Sequence, residues 1–190
     1  MPDAARSAIG SPSAFFRAHA SRLSTTASIG PTLDLACGRG RHAIAATDLG
    51  LSVVAIDRNP DLLGELLETL PDESRPGARS IEIIRADLEA PPLPALEPAS
   101  FGAVLVFRYL HRALFSWIES LVAPGGILLY ETFTRDQKGL GWGPTRDEYL
   151  LGPGELPTLL RELVVEVYEE GASNDASPAR TGRLLASRAR

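Results

Sequence analysis

The 190 residues suffice for one domain with a substantial core, and 44% apolar with 23% charged residues is the composition of an ordinary soluble globular protein. A net charge of −5 without a basic stripe gives nucleic-acid binding no electrostatic support. Cys37 is the sole cysteine and the three histidines are scattered, which excludes an internal disulfide and a multi-cysteine zinc site; no metal is expected.

Residues 1–13 are small and polar with two prolines, and are expected to be flexible. They lack the continuous apolar stretch of a secretory signal, and no run anywhere reaches the roughly 18 residues that span a bilayer. A cytoplasmic protein without membrane contact is expected, its oligomeric state open. Ala14–Leu23 predicts a short helix with Phe15, Phe16, His19 and Leu23 on one side. Thr32–Ala36 is an apolar strand that enters the turn CGRGR, and a helix follows through His42–Leu49 to Gly50. Ser52–Ile56 is a second strand closed by Asp57, and Pro60 sits in the first turn of the next helix, which ends before Pro71.

Ser80–Arg85 is a third strand, ending at Asp87, and Gly102–Phe107 a fourth. Arg112–Val122 reads as a helix and Gly126–Phe133 as a fifth strand. Continuous apolar strands separated by helices predict a parallel sheet covered on both faces. Residues 134–152 carry several glycines in a connection longer than most, which points to a functional loop or lid. A helix at Glu155–Glu162 and strands at Val164–Glu169 and Arg183–Ala186 close the chain, the last two as an antiparallel hairpin. Residues 14–190 read as a single domain without internal repeat.

The chemistry concentrates at the strand ends. Gly38 and Gly40 make a tight turn whose backbone a ligand can approach, and the helix behind it presents free N–H groups. Asp57 ends the next strand about 20 residues on, where an acid in nucleotide-binding sheets accepts from ribose hydroxyls. Asp87 continues the series at the third strand. A nicotinamide fingerprint asks for a third glycine, where this chain has Ala43, a residue that some dinucleotide folds accept.

In these segments the chain resembles the class I S-adenosylmethionine (SAM)-dependent methyltransferases. LDLACGRGRHA is similar to that family's first motif, VVAIDRNP to its second and IIRADLEA to its acidic third. FGAVLVFRYLHR and LVAPGGILLYETF are similar to the fourth and fifth, and within the family the chain looks most like the small bacterial group that includes the tellurite-resistance methyltransferases. The resemblance implies an α/β, Rossmann-like doubly wound sheet of seven strands, order 3-2-1-4-5-7-6 with the last strand reversed, and SAM as cofactor. It implies that Asp34, Ala36, Gly38 and Gly40 line the methionine end, that Asp57 binds the ribose hydroxyls and that Arg58 lies against the adenine. Asp87 meets the adenine amino group with Leu88 beside it, and Phe107 lies beside the sulfonium. One departure is Phe101-Gly102, where the family usually has an acid after the aromatic.

Methyl transfer from a sulfonium asks mainly for alignment and exclusion of water. His111 is the candidate general base, and Tyr109 a second catalytic candidate that orients the acceptor. Arg108, Glu131 and Trp142 are candidate substrate contacts, Trp142 in a mobile lid over a small-molecule acceptor. A non-catalytic SAM-binding sensor or partner subunit is the second reading, and an NAD(P)-binding oxidoreductase the third.

Overall fold

Seven strands pair into one sheet: Thr32–Leu35 (β1), Val53–Asp57 (β2), Ile81–Arg85 (β3), Phe101–Phe107 (β4), Val122–Phe133 (β5), Val164–Ala172 (β6) and Arg180–Ser187 (β7). The computed structural model describes residues 9–70 and 81–190. Residues 1–8 of the expected flexible N-terminus, and Ser80 at the expected start of the third strand, lie outside the described residues. The strand order is β3-β2-β1-β4-β5-β7-β6. Pairings from β3 through β5 are parallel, and β7 runs antiparallel to both β5 and β6. This is the sheet expected from the sequence, reversed strand included.

Every residue of β1 and β4 is buried, which is why these strands read as unbroken apolar runs. Side-chain alternation sends Leu33, Leu35, Val104, Val106 and Leu128 to one face, against helix Phe115–Leu121. Ala103, Leu105 and Leu129 go to the other, against helices Ala14–Ala18 (α1), Ala20–Ser24 (α2), Arg41–Asp48 (α3) and Pro60–Thr69 (α4). Phe115–Leu121 is α5 and Glu155–Thr158 is α6. Each fully buried leucine in these layers is worth roughly 1.5–3 kcal/mol over exposure.

Several elements differ from the sequence expectation, each for a local reason. The helix over Ala14–Leu23 breaks at His19, whose φ of −106° separates α1 from α2. The helix over Arg112–Val122 begins as a 3-10 turn, Arg112–Leu114, and Val122 already pairs with Phe101, so β5 starts four residues before Gly126. The helix over Glu155–Glu162 stops at Thr158. There the N–H groups of Arg161, Glu162 and Leu163 donate to Oε1 of Glu119, a carboxylate 1% exposed. A side chain from α5 takes the bonds a longer helix needs.

The departure at Gly102 also has a steric cause. A Cβ there would stand 2.6 Å from the Thr26 carbonyl oxygen and 2.8 Å from that of Gly30. The 3-10 turn Thr25–Ser28 therefore packs where the family acid would project. Gly102→Asp is expected to destabilise the protein by about 1–3 kcal/mol through this overpacking. The check is the urea midpoint, which should fall with an unchanged m value.

Candidate functional site

The backbone leaving β1 turns through left-handed positions at Ala36 (φ 52°), Gly38 (φ 57°) and Gly40 (φ 76°) before α3 begins. The two glycines serve different ends. A Cβ on Gly40 would lie 2.5 Å from Leu66, so packing against α4 requires glycine there; a Cβ on Gly38 would meet nothing within 4 Å. Gly38 faces open space. Asp57 fastens the turn: Gly38 N–H donates to its Oδ2 at 2.8 Å, while Asn59 N–H donates to Oδ1 at 2.9 Å.

Beside the turn a cleft of about 240 Å³ is lined by Ala36, Asp57, Arg58, Asp87, Leu88, Arg108 and Tyr109, among others. Arg58 approaches Asp87 at 3.6 Å and Glu89 at 3.7 Å, exposed pairs that contribute little to stability. The Tyr109 hydroxyl is buried without a hydrogen-bond partner among the described residues, although its backbone carbonyl accepts from the Tyr130 hydroxyl at 2.9 Å. Burial, with Glu89 and Asp87 nearby, raises the Tyr109 phenol, so it stays protonated. It is a free donor in a cleft rimmed by acids.

A second cavity, of about 820 Å³, is walled by Pro12, Arg17, Arg41, Trp142 and Asp175 with their neighbours. Arg108 lines both spaces. Its φ of 59° places a bulky residue in left-handed backbone, a strain of a kind that collects at functional sites. The segment before α1 roofs this cavity and is tied down by Ser13, whose N–H donates to His42 Nε2 at 3.2 Å and whose hydroxyl bonds the Glu131 carboxylate. Ala14 N–H donates to Asp175 Oδ1 at 2.7 Å.

The expected site residues do not all meet. Ala36, Asp57, Arg58, Asp87, Leu88, Arg108 and Tyr109 line the cleft, and Arg108 and Trp142 the larger cavity. Gly38 and Gly40 form the turn at its side. Phe107, expected beside the sulfonium, lines neither space: alternation along β4 turns it toward α3, where it stacks on His42 at 3.7 Å. His111 lines neither as well; it precedes the 3-10 turn, where its carbonyl accepts from Leu114 N–H. Trp142 is half exposed, but its loop is anchored. Gln137, fully buried, donates to the Trp142 carbonyl at 2.9 Å and accepts from Arg180 N–H at 2.8 Å, and Leu150 and Leu151 are fully buried. The expected mobile lid is thus pinned at both ends.

Among the described residues two carboxyls are buried with an unpartnered oxygen, Asp34 Oδ2 and Glu131 Oε2. Desolvation raises the Asp34 carboxyl to about 7, opposed by a hydrogen bond from the Ala43 backbone and by the Arg41 charge. Desolvation likewise raises Glu131, opposed by its bond to Ser13. Burial close to Asp34 and Asp57 pushes the Cys37 thiol up, so no reactive thiolate forms. Sequence reasoning missed Ser13, Arg17 and Asp175. Ser13 alone carried a signal, as a cap immediately before an apolar run.

A family model described as a methyltransferase domain matches residues 32–126, half of the chain. No curated protein matches the sequence. Among solved structures, the fold is similar to the PH0226 protein from Pyrococcus horikoshii OT3, with a TM-score of 0.66 and 17% identity over 91% of this chain and 89% of that one. It is similar to TehB from Haemophilus influenzae, with a TM-score of 0.69 and 18% identity over 90% of this chain and 62% of that one. An S-adenosylmethionine-dependent methyltransferase from Mesorhizobium loti has a TM-score of 0.64 and 21% identity, over 90% and 98% of the two chains. At these identities the likeness concerns the fold.

The Asp34 carboxyl makes stability depend on pH. Its folded value, about 7, lies above the ordinary 3.8, so its contribution is complete below pH 4 and is lost as pH rises through 7. Asp34→Asn is expected to flatten the decline of ligand-free stability between pH 4 and 8. Above pH 7 the variant should be the more stable by on the order of 2–4 kcal/mol. Urea titrations at several pH values check this; an Asn variant with the wild-type pH profile would remove Asp34 as its source.

Proposed function

The chain belongs to the methyltransferase domain family, and on that premise we propose that it moves a methyl group from SAM to a small molecule held in the larger cavity. The observation that carries this reading is the wall the two spaces share. Arg108 borders the cleft beside the glycine turn and also the cavity roofed by the N-terminal segment, so donor and acceptor have adjoining places.

The residues at the cleft fit an adenosyl group. Gly38 leaves its flank open, Asp57 and Asp87 offer carboxylate acceptors, Leu88 offers an apolar surface, and the Tyr109 hydroxyl lacks a partner among the described residues. When bound, SAM would supply an activated methyl carbon, with neutral S-adenosylhomocysteine as the leaving group and any proton on the accepting atom passing to solvent. The chain's own part is placement. Asp57 holds the ribose hydroxyls while fastening the turn, Asp87 and Leu88 take the adenine, and Arg58 covers it. Ala36, Gly38 and Gly40, with Asp34 beneath them, carry the methionine end. Tyr109, kept protonated, donates a hydrogen bond and does not act as base. His111 stands outside both spaces, so alignment and exclusion of water do the larger share of the work.

A sensor that only binds SAM needs the cleft but not the adjoining cavity, and that cavity favours the enzyme over the sensor. Asp34 within β1 and the reversed β7 speak against a nicotinamide dinucleotide. Asp57→Ala is expected to weaken S-adenosylhomocysteine binding by about 1–3 kcal/mol, measured by calorimetry, through lost charged hydrogen bonds. An unchanged affinity in a folded variant would take Asp57 out of the site.

A further inference from the structure

We infer that the larger cavity is an anion site, and that its occupant is a small organic molecule carrying a carboxylate or a phosphate. This rests on the proposed methyl transfer and adds the chemical class of the acceptor. The first observation is a charge imbalance. The cavity is lined by three arginines, Arg17, Arg41 and Arg108, against one acidic residue, Asp175, whose carboxylate already accepts from the Ala14 backbone. Among the described residues none of the three arginines has an ion-pair partner. Among the described residues Arg17 reaches the Pro12 carbonyl. Like charges gathered in a partly enclosed space repel, and Arg41 shows it: burial first and Arg108 second lower its pKa. Glu131, Asp175 and Asp34 oppose this, and burial raises the pKa of both Glu131 and Asp34. An anion entering from solvent relieves this repulsion.

The second observation is size and lining. About 820 Å³ is far more than a simple oxyanion fills, and is within the range of sites for organic ligands. Trp142 is 40% exposed and held edge-on against Phe133 at 5.9 Å, so it presents a fixed apolar surface for an organic body. The third is position. Arg108 belongs to both spaces, which sets an anion on it next to the cleft. The carboxylate of SAM itself accounts for one guanidinium at most. Arg17, Trp142 and Asp175 also lie outside residues 32–126, so the family's common segment does not supply this lining.

The test is calorimetric titration of the full chain, first with S-adenosylhomocysteine and then, on the saturated complex, with benzoate, phenyl phosphate and benzyl alcohol. The first titration reads the cofactor cleft alone, and failure there sinks the methyl-transfer reading without touching the charge argument. In the second, at least one of the two anions should bind, which of them distinguishing carboxylate from phosphate, while benzyl alcohol does not. Arg17 is exposed, so Arg17→Met should fold; it should weaken anion binding about tenfold or more, with Arg108→Met doing the same. Binding should also fall with added salt. Benzyl alcohol binding as tightly as the anions, neither anion binding, or wild-type anion affinity in Arg17→Met would overturn the inference.

Discussion

The carboxylate of Asp57 holds two stretches of backbone at once. Through Oδ2 it accepts the Gly38 N–H of the turn after β1, and through Oδ1 the Asn59 N–H at the start of α4. Hydrogen bonds to a charged group contribute about 1.5–3 kcal/mol, enough to hold a turn that passes through three left-handed residues within five positions. With the turn fixed, Gly38 is left facing open space and Gly40 is pressed on Leu66. The cleft then takes its shape from the ends of parallel strands, β1 at Ala36, β2 at Asp57 and β4 at Arg108. Ligand sites in such sheets lie at the carboxyl ends of the strands, because only there do backbone turns and helix starts converge.

The two spaces are built by different means. The cleft lies almost wholly on β1–β4 and the loops after them, within the segment that matches the family. The larger cavity is closed by residues far apart in the chain: Pro12 and Arg17, Trp142, and Asp175. What joins them is a few polar bonds, Ser13 to His42 and Glu131, Ala14 to Asp175, and Gln137 to Trp142 and Arg180. Donor binding follows from the architecture of the sheet. Acceptor choice rests on pieces laid over its edge.

This division also explains what could be read from the sequence. Strand positions and strand ends were legible because burial on both faces of a parallel sheet leaves continuous apolar runs, and a glycine turn followed by acids at successive strand ends has a fixed spacing; the strand order came from the family resemblance. Helix lengths were not. Glu119 draws away the N–H groups that would have extended α6, and nothing in the sequence near Thr158 reveals a partner more than 40 residues away. The family resemblance put Phe107 beside the sulfonium, whereas alternation along β4 turns it to His42. Arg17 and Asp175 carry no local signal, since the Ala14–Asp175 bond spans 161 positions and exists only once the sheet has formed. The lid at 134–152 was read from its glycines, whereas the anchors, Gln137, Leu150 and Leu151, are residues whose burial no local pattern announces.

The central claim is that one adenosyl ligand lies between the turn after β1 and the carboxylate that closes β2. Crystals grown with S-adenosylhomocysteine test it most directly. The account expects the ribose hydroxyls within hydrogen-bonding distance of Asp57, the adenine beside Leu88 and the sulfur turned toward Arg108. A cleft left vacant or filled by protein side chains, or a nucleoside bound elsewhere on the molecule, would contradict it.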